Sequence, residues 1–128
     1  MYRLEALALA IANANDALNP GSEAFVTLNP GMIRSHSLDR LNPVNENGIR
    51  TFKRFEDGLR CLIGNLKCKC MGKTQAIGRG QLNSDSSLKD LVSTFNYIQV
   101  RKIVEFLQDA LDEKAINELT PLRFFLEN

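Results

Sequence analysis

A mainly α single domain of four to five helices, with one short β-hairpin, is the fold class this 128-residue sequence predicts. Four stretches repeat their apolar residues at the helical period of about 3.6. Between the first two lies a segment rich in Asn, Ser and Pro, in which aromatic and β-branched residues mark short extended pieces. The length supplies enough apolar surface for one core and too little for two, so residues 1–128 are expected to form one domain.

The elements follow in chain order. From Tyr2 to Leu18, the residues Leu4, Leu7, Ala8, Ile11, Ala14 and Leu18 fall at helical spacing, and Asn19-Pro20-Gly21 stops the run. Asn15, four residues after Ile11, joins the inner stripe of this first helix. Asp16 is rotated by about 100° toward its edge. Ser22 to Asn47 reads as loop with one or two extended pieces, the first fed by the Pro30-Gly31 turn, and Ile49 to Phe55 reads as a short strand.

Phe55, Leu59, Leu62, Ile63, Leu66 and Cys70 form the buried stripe of a second helix from Glu56, with Arg60, Lys67 and Lys69 outside it. Gly72 is suited to the left-handed cap that ends it. Lys73 to Asp85 has no apolar rhythm and reads as a surface loop. Ser87, with Asp90 three residues on, makes a capping box for a third helix presenting Leu88, Leu91, Val92 and Phe95 inward. After a break at Asn96-Tyr97, Val100, Ile103, Val104, Leu107 and Leu111 line one face of a fourth helix, with Arg101, Lys102, Glu105 and Asp109 outside. Thr120-Pro121 opens a last short helix carrying Leu122, Phe124, Phe125 and Leu126.

Composition excludes several classes. Sixteen Lys and Arg against fifteen Asp and Glu give a net charge of +1, so a polyanionic partner must be met by a local patch. Such a patch exists in the sequence as Arg60, Lys67, Lys69, Lys73 and Arg79. No apolar run approaches the roughly 20 residues of a membrane-spanning helix, and Leu7 to Ala12 lacks the flanks of a secretory signal. Cys61, Cys68 and Cys70 are an odd count suited to free thiols in a reducing compartment. Cys61 and Cys68 are expected on the core face of the second helix, with Cys70 at its end. The single histidine, His36, is too far along the chain to complete a zinc set with them. Gly72-Lys73-Thr74 lacks the spacing of a phosphate-binding loop, and Ser35-His36-Ser37 lacks a nucleophile elbow. No cofactor is implied.

Taken together, Ala10 to Ser22, Leu28-Asn29-Pro30-Gly31-Met32-Ile33-Arg34, Phe52 to Arg60 and Leu88 to Val92 resemble the small lysozyme-like virion proteins of bacteriophages, which are similar to lytic transglycosylases. The resemblance runs from about Leu4 to Leu111. It implies an amphipathic helix ending in a catalytic Glu-Gly, an Asn-Pro-Gly-Asn-Ile-Arg-like turn lining a glycan groove, and a Phe-containing hairpin leading into the next helix. The expected partners are peptidoglycan glycan strands and other virion proteins, and the expected location is the virion or the host cytoplasm.

The departures carry the functional expectation. Cleaving a glycosidic bond needs a carboxylic acid to protonate the leaving oxygen. The position that the resemblance assigns to Glu holds Asn15, and the following Gly position holds Asp16. An amide has no titratable proton. The resemblance therefore implies a degenerate, non-catalytic domain in which Asn15, Asn29, Arg34 and Phe55 contact substrate. The alternatives are a weakly active muramidase or lytic transglycosylase using Glu23 or Asp16, with Glu5 more remote, and a helical adaptor that binds nucleic acid or protein through the basic patch.

Overall fold

The computed structural model describes residues 2–34, 43–73, 75–76, 80–95 and 98–127, with the backbone alone at 75–76 and 80–81. Six helices and one two-stranded hairpin are present among them. The helices are α1 (Arg3–Ala14), α2 (Glu23–Val26), α3 (Phe55–Cys70), α4 (Leu88–Val92), α5 (Val100–Ala110) and α6 (Arg123–Leu126). The hairpin pairs β1 (Gln75–Ala76) with β2 (Gly80–Gln81), antiparallel, after α3.

α1 is the hub, packed against α3, α5 and α6. Its sequence suggested one stripe, but Ala6, Leu7, Ala8, Ala10, Ile11 and Ala12 are all buried, which leaves little of its circumference to solvent. The alternating alanines are the reason, since small side chains let neighbouring helices approach from several sides at once. Leu7 and Ile11 meet Leu62 and Leu66 of α3, Leu88 and Leu91 of α4, Ile103 and Leu107 of α5, and Leu122 and Phe125 around α6 in one continuous core. A smaller cluster of Ala12, Ala17 and Ala24 is covered by Met32 and Phe55.

The first helix is shorter than its periodicity predicts. It ends at Ala14, and Leu18 is 82% exposed. Asp16 N–H returns to Asn13 O at 3.1 Å and Ala17 N–H to Ala12 O at 3.0 Å, with Asp16 at φ +55°. Those two bonds around a left-handed residue are a Schellman closure, so Asp16 stands at the cap, outside the helix whose edge it was expected to occupy. The same closure ends α2 at Leu28 (φ +54°), α3 at Gly72 (φ +74°) and α5 at Asp112 (φ +49°). Only the α3 stop uses the glycine that announces it in sequence.

Two further differences concern β structure. The extended pieces around Arg34 and Ile49 meet as isolated bridges, Arg34 with Ile49 and Val44 with Arg50, and build no ladder. The two-stranded hairpin falls instead inside the Lys73–Asp85 segment expected to be loop. Short polar strands have no alternation to reveal them.

The remaining helices follow their patterns more closely. Ser87 Oγ accepts from Asp90 N–H at 3.1 Å and Asp90 Oδ2 from Ser87 N–H at 3.0 Å, completing the expected capping box. α5 buries Ile103 and Leu107, and Arg101 bridges to Glu105 at 2.9 Å on its outer face. α6 begins at Arg123, because the backbone of Thr120 and Pro121 is engaged with Leu88 and Ser87. Arg3 stacks 3.9 Å above the Phe124 ring and donates to its carbonyl at 3.1 Å, tying the two ends of the described chain together.

Among the described residues no helix is long and apolar enough to cross a membrane. All three cysteines are free thiols. Cys70 is buried, Cys61 half-buried, and Cys68 exposed rather than on the core face.

Candidate functional site: a polar groove

Gly58 sets how closely α3 approaches the chain at Leu28 and Pro30. A Cβ there would lie 2.0 Å from Leu28 O, so α3 and the α2–turn segment touch backbone to backbone. The Asn29–Arg34 turn lies on α3 for this reason. Asn29 then holds the turn from inside: its Nδ2 donates to Ile33 O and to Arg50 O, both at 2.9 Å, and its Oδ1 accepts from Ile33 N–H at 3.1 Å. Completely buried with both ends of its amide engaged, Asn29 shapes the turn and does not face the groove.

An open groove of about 650 Å³ lies beside this turn, lined in part by Asn15, Glu23, Arg34, Asn65, Lys69 and Phe95. Asn15, the residue closing α1, donates from Nδ2 to Pro30 O at 2.9 Å. Glu23 is the first residue of α2, a short helix capped by Ser22. Its Oε1 accepts from Asn45 Nδ2 at 2.6 Å and from Asn47 Nδ2 at 3.0 Å. Those bonds, the Asn45 one foremost, hold the Glu23 carboxyl below the usual carboxylate range. Arg34 donates to Asn47 O at 2.7 Å on the same rim.

The expected site residues thus separate. Asn15, Glu23 and Arg34 share the groove. Phe55 packs with Met32 on the small alanine cluster, and Asp16 is exposed at the helix cap; neither lines the groove. Glu5 is exposed near the far end of α1.

The basic patch also divides. Lys67 and Lys73 are exposed. Arg60 is exposed at the rim of a second depression of about 480 Å³, shared with Lys53, Asp57 and Cys61. Arg79 lies outside the described residues, as does His36. Lys69 leaves the solvent face expected for it and turns into the groove, where Nζ donates to Thr94 Oγ1 at 3.0 Å and sits 4.2 Å above the Phe95 ring. Burial pulls its ammonium down to about 8, partly opposed by the neighbouring Cys70 thiol.

The sequence does not place Asn65, Lys69, Thr94 or Phe95 in a groove: its patterns assign Lys69 to the basic patch and Phe95 to the inward face of the third helix. A retrospective signal exists for two of them: Asn65 and Lys69 are polar residues one helical turn apart, bordering the Leu62–Leu66–Cys70 stripe. Thr94 and Phe95 follow α4 and reach the groove only through tertiary packing.

Chemically, the lining offers amides, one aromatic ring, two cations and a single carboxylate among the described residues. That set binds hydroxyl and amide groups well. It is poorly equipped to donate a proton, because Glu23 is stabilised in its ionised form. Among the described residues no group of three or more His, Cys, Asp or Glu is arranged to hold a metal ion. The class these features define is a small, mainly helical domain with an open polar groove. No family model, no curated protein and no solved structure matches the chain.

Proposed function

We propose that this chain is a lysozyme-like virion or virion-associated protein whose groove contacts peptidoglycan glycan strands without cleaving them. The observation that carries the reading is the place of Asn15. An uncharged amide closes the first helix at the groove, where the sequence resemblance assigns a proton-donating glutamate. The remaining lining carboxylate, Glu23, has the wrong electrostatics for an acid, since a general acid needs a raised pKa and Glu23 has a lowered one. Asp16, held at φ +55° in the helix closure, is not among the groove residues.

Sedimentation with insoluble peptidoglycan tests the reading, alongside release of soluble muropeptides as the readout of cleavage. Binding without release is the expected result. Release abolished by Glu23→Gln or Asp16→Asn would replace it with the weakly active muramidase. The adaptor reading draws on the exposed Arg60, Lys67 and Lys73. It loses Lys69, the member of the patch withdrawn into the groove. A gel shift with DNA that weakens steeply with salt, in the absence of any peptidoglycan binding, would favour it.

A further inference from the structure

A lysine beside a buried helical stripe ordinarily runs its stem along the surface and leaves its ammonium in water. The other six lysines, Lys53, Lys67, Lys73, Lys89, Lys102 and Lys114, are all exposed. Lys69 is half-buried and lines the groove beside Phe95 and Ile98. Its Nζ donates to Thr94 Oγ1 at 3.0 Å and sits 4.2 Å above the Phe95 ring. Among the described residues no carboxylate pairs with it. The other charged groups lining the groove are Glu23 on α2, engaged by Asn45 and Asn47, and Arg34, which donates to Asn47 O.

The direction of one proton suits this amine to act as a nucleophile. Thr94 gives its hydroxyl proton to Leu91 O at 2.7 Å, so toward Nζ its oxygen can only accept. The neutral amine therefore keeps its lone pair out of that bond, available to a ligand entering the groove. Burial brings the neutral form within reach by pulling the ammonium down to about 8, a shift the neighbouring Cys70 thiol partly opposes. At pH 8 about half of such an amine is neutral, against about one in three hundred for a lysine free in water. An amine without a countercharge, in a groove that also presents Met32, Ile33 and Ile98, is the setting in which lysines add to carbonyl carbons.

We propose that Lys69 is a covalent capture site for an aldehyde with an apolar body, which it binds reversibly as an imine. The Nζ lone pair forms a bond to the carbonyl carbon, the C=O π pair moves onto oxygen, and that oxygen takes a proton released by nitrogen. The resulting carbinolamine loses its hydroxyl as water together with the remaining hydrogen on nitrogen, which leaves C=N and needs no oxidant or reductant. Once protonated, the imine N–H takes over the bond to Thr94 Oγ1, and the Phe95 ring faces the cation. Thr94 and Phe95 are positioning residues. Contact with peptidoglycan is a separate property of the groove, and this capture does not depend on it.

Benzaldehyde and glycolaldehyde, each with sodium cyanoborohydride to fix imines as secondary amines, test this on the wild-type protein, and peptide mass spectrometry locates the modified lysines. At pH 7.5 benzaldehyde is expected to label Lys69 about tenfold faster than any of the six exposed lysines, the gain in neutral amine discounted for its lower basicity. That preference should shrink as pH rises toward 10.5, where a lysine in water loses its own proton. Glycolaldehyde should show a smaller preference. Thr94→Val should lower the preference for Lys69, and Thr94→Ser should restore it. Labelling of Lys69 by benzaldehyde no faster than that of the exposed lysines would overturn the proposal. An equal preference with both aldehydes would overturn the apolar body assigned to the ligand, and a preference that survives Thr94→Val would overturn the role given to Thr94.

Discussion

The side-chain amide of Asn15 donates to the backbone carbonyl of Pro30 across 2.9 Å, joining the end of α1 to the turn that borders the groove. Pro30 O is an acceptor, so the position suits a group with a proton to give. A carboxylate placed there would meet like partial charge, whereas a protonated carboxyl would replace the bond.

Asn15→Glu is therefore expected to carry a folded-state pKa above its unfolded value of about 4.3. The sign follows: the stabilising contact is fully present below the unfolded pKa and is lost as pH rises through the higher folded one. Melting temperatures from pH 3 to 8 should show the variant near wild type at acid pH and progressively below it toward neutrality. A pH-independent offset would refute this. The same variant is expected to gain muropeptide release if the glycan reading holds, since a positioned acid contributes about 10² to 10⁴-fold.

Glu23 should behave in the opposite sense. Its folded pKa is lowered, chiefly by Asn45 and then by Asn47, so its contribution is present above the unfolded value and is lost as pH falls through the folded one. Glu23→Gln should flatten part of the acid-side loss of stability. Denaturation midpoints at pH 3, 4, 5 and 7 report it, and an unchanged slope would count against the hydrogen-bonded carboxylate.

Lys69 and Cys70 titrate against each other in the alkaline range. With the folded lysine at about 8, the unfolded chain binds more protons between about 8 and its ordinary 10.5, and stability rises with pH there. Burial pushes the Cys70 thiol up to about 11 from 9.0, so across that interval the folded chain holds more protons and stability falls. Wild-type stability is expected to rise from about pH 8 to 9, run nearly level to about 10.5 where the two slopes oppose each other, and fall beyond it. Removing the lysine by Lys69→Met should expose the Cys70 decline between pH 9 and 11, measured by urea denaturation. Parallel curves for the two proteins would argue that Lys69 is solvated.

Two backbone positions give opposite stability changes. Gly58→Ala drives a Cβ to 2.0 Å from Leu28 O, backbone against a helix that cannot yield, and should cost about 3 kcal/mol or more. Asp16→Gly relieves a side chain at φ +55° and should stabilise by up to about 1 kcal/mol. Chemical denaturation decides both, and a neutral Gly58→Ala would mean that α3 and the α2–turn segment are less closely packed than described.

The amino-acid order by itself determined the mainly helical class, the α3 stripe with its Gly72 stop, the Ser87–Asp90 capping box and the amphipathic α5, because periodicity and capping act within one turn of helix. It also placed an amide at residue 15, since that is a matter of chemistry rather than of conformation. Only tertiary structure decided the rest. α1 stops at Ala14 because Asp16 takes a left-handed conformation that its residue type permits without demanding. Asn29 is buried instead of facing the groove because Ile33 and Arg50 consume its amide. Lys69 abandons the solvent for Thr94 and Phe95, partners about 25 residues away that no local pattern connects to it. Groove membership depends on such distant contacts, and charge patterning along a single helix does not encode them.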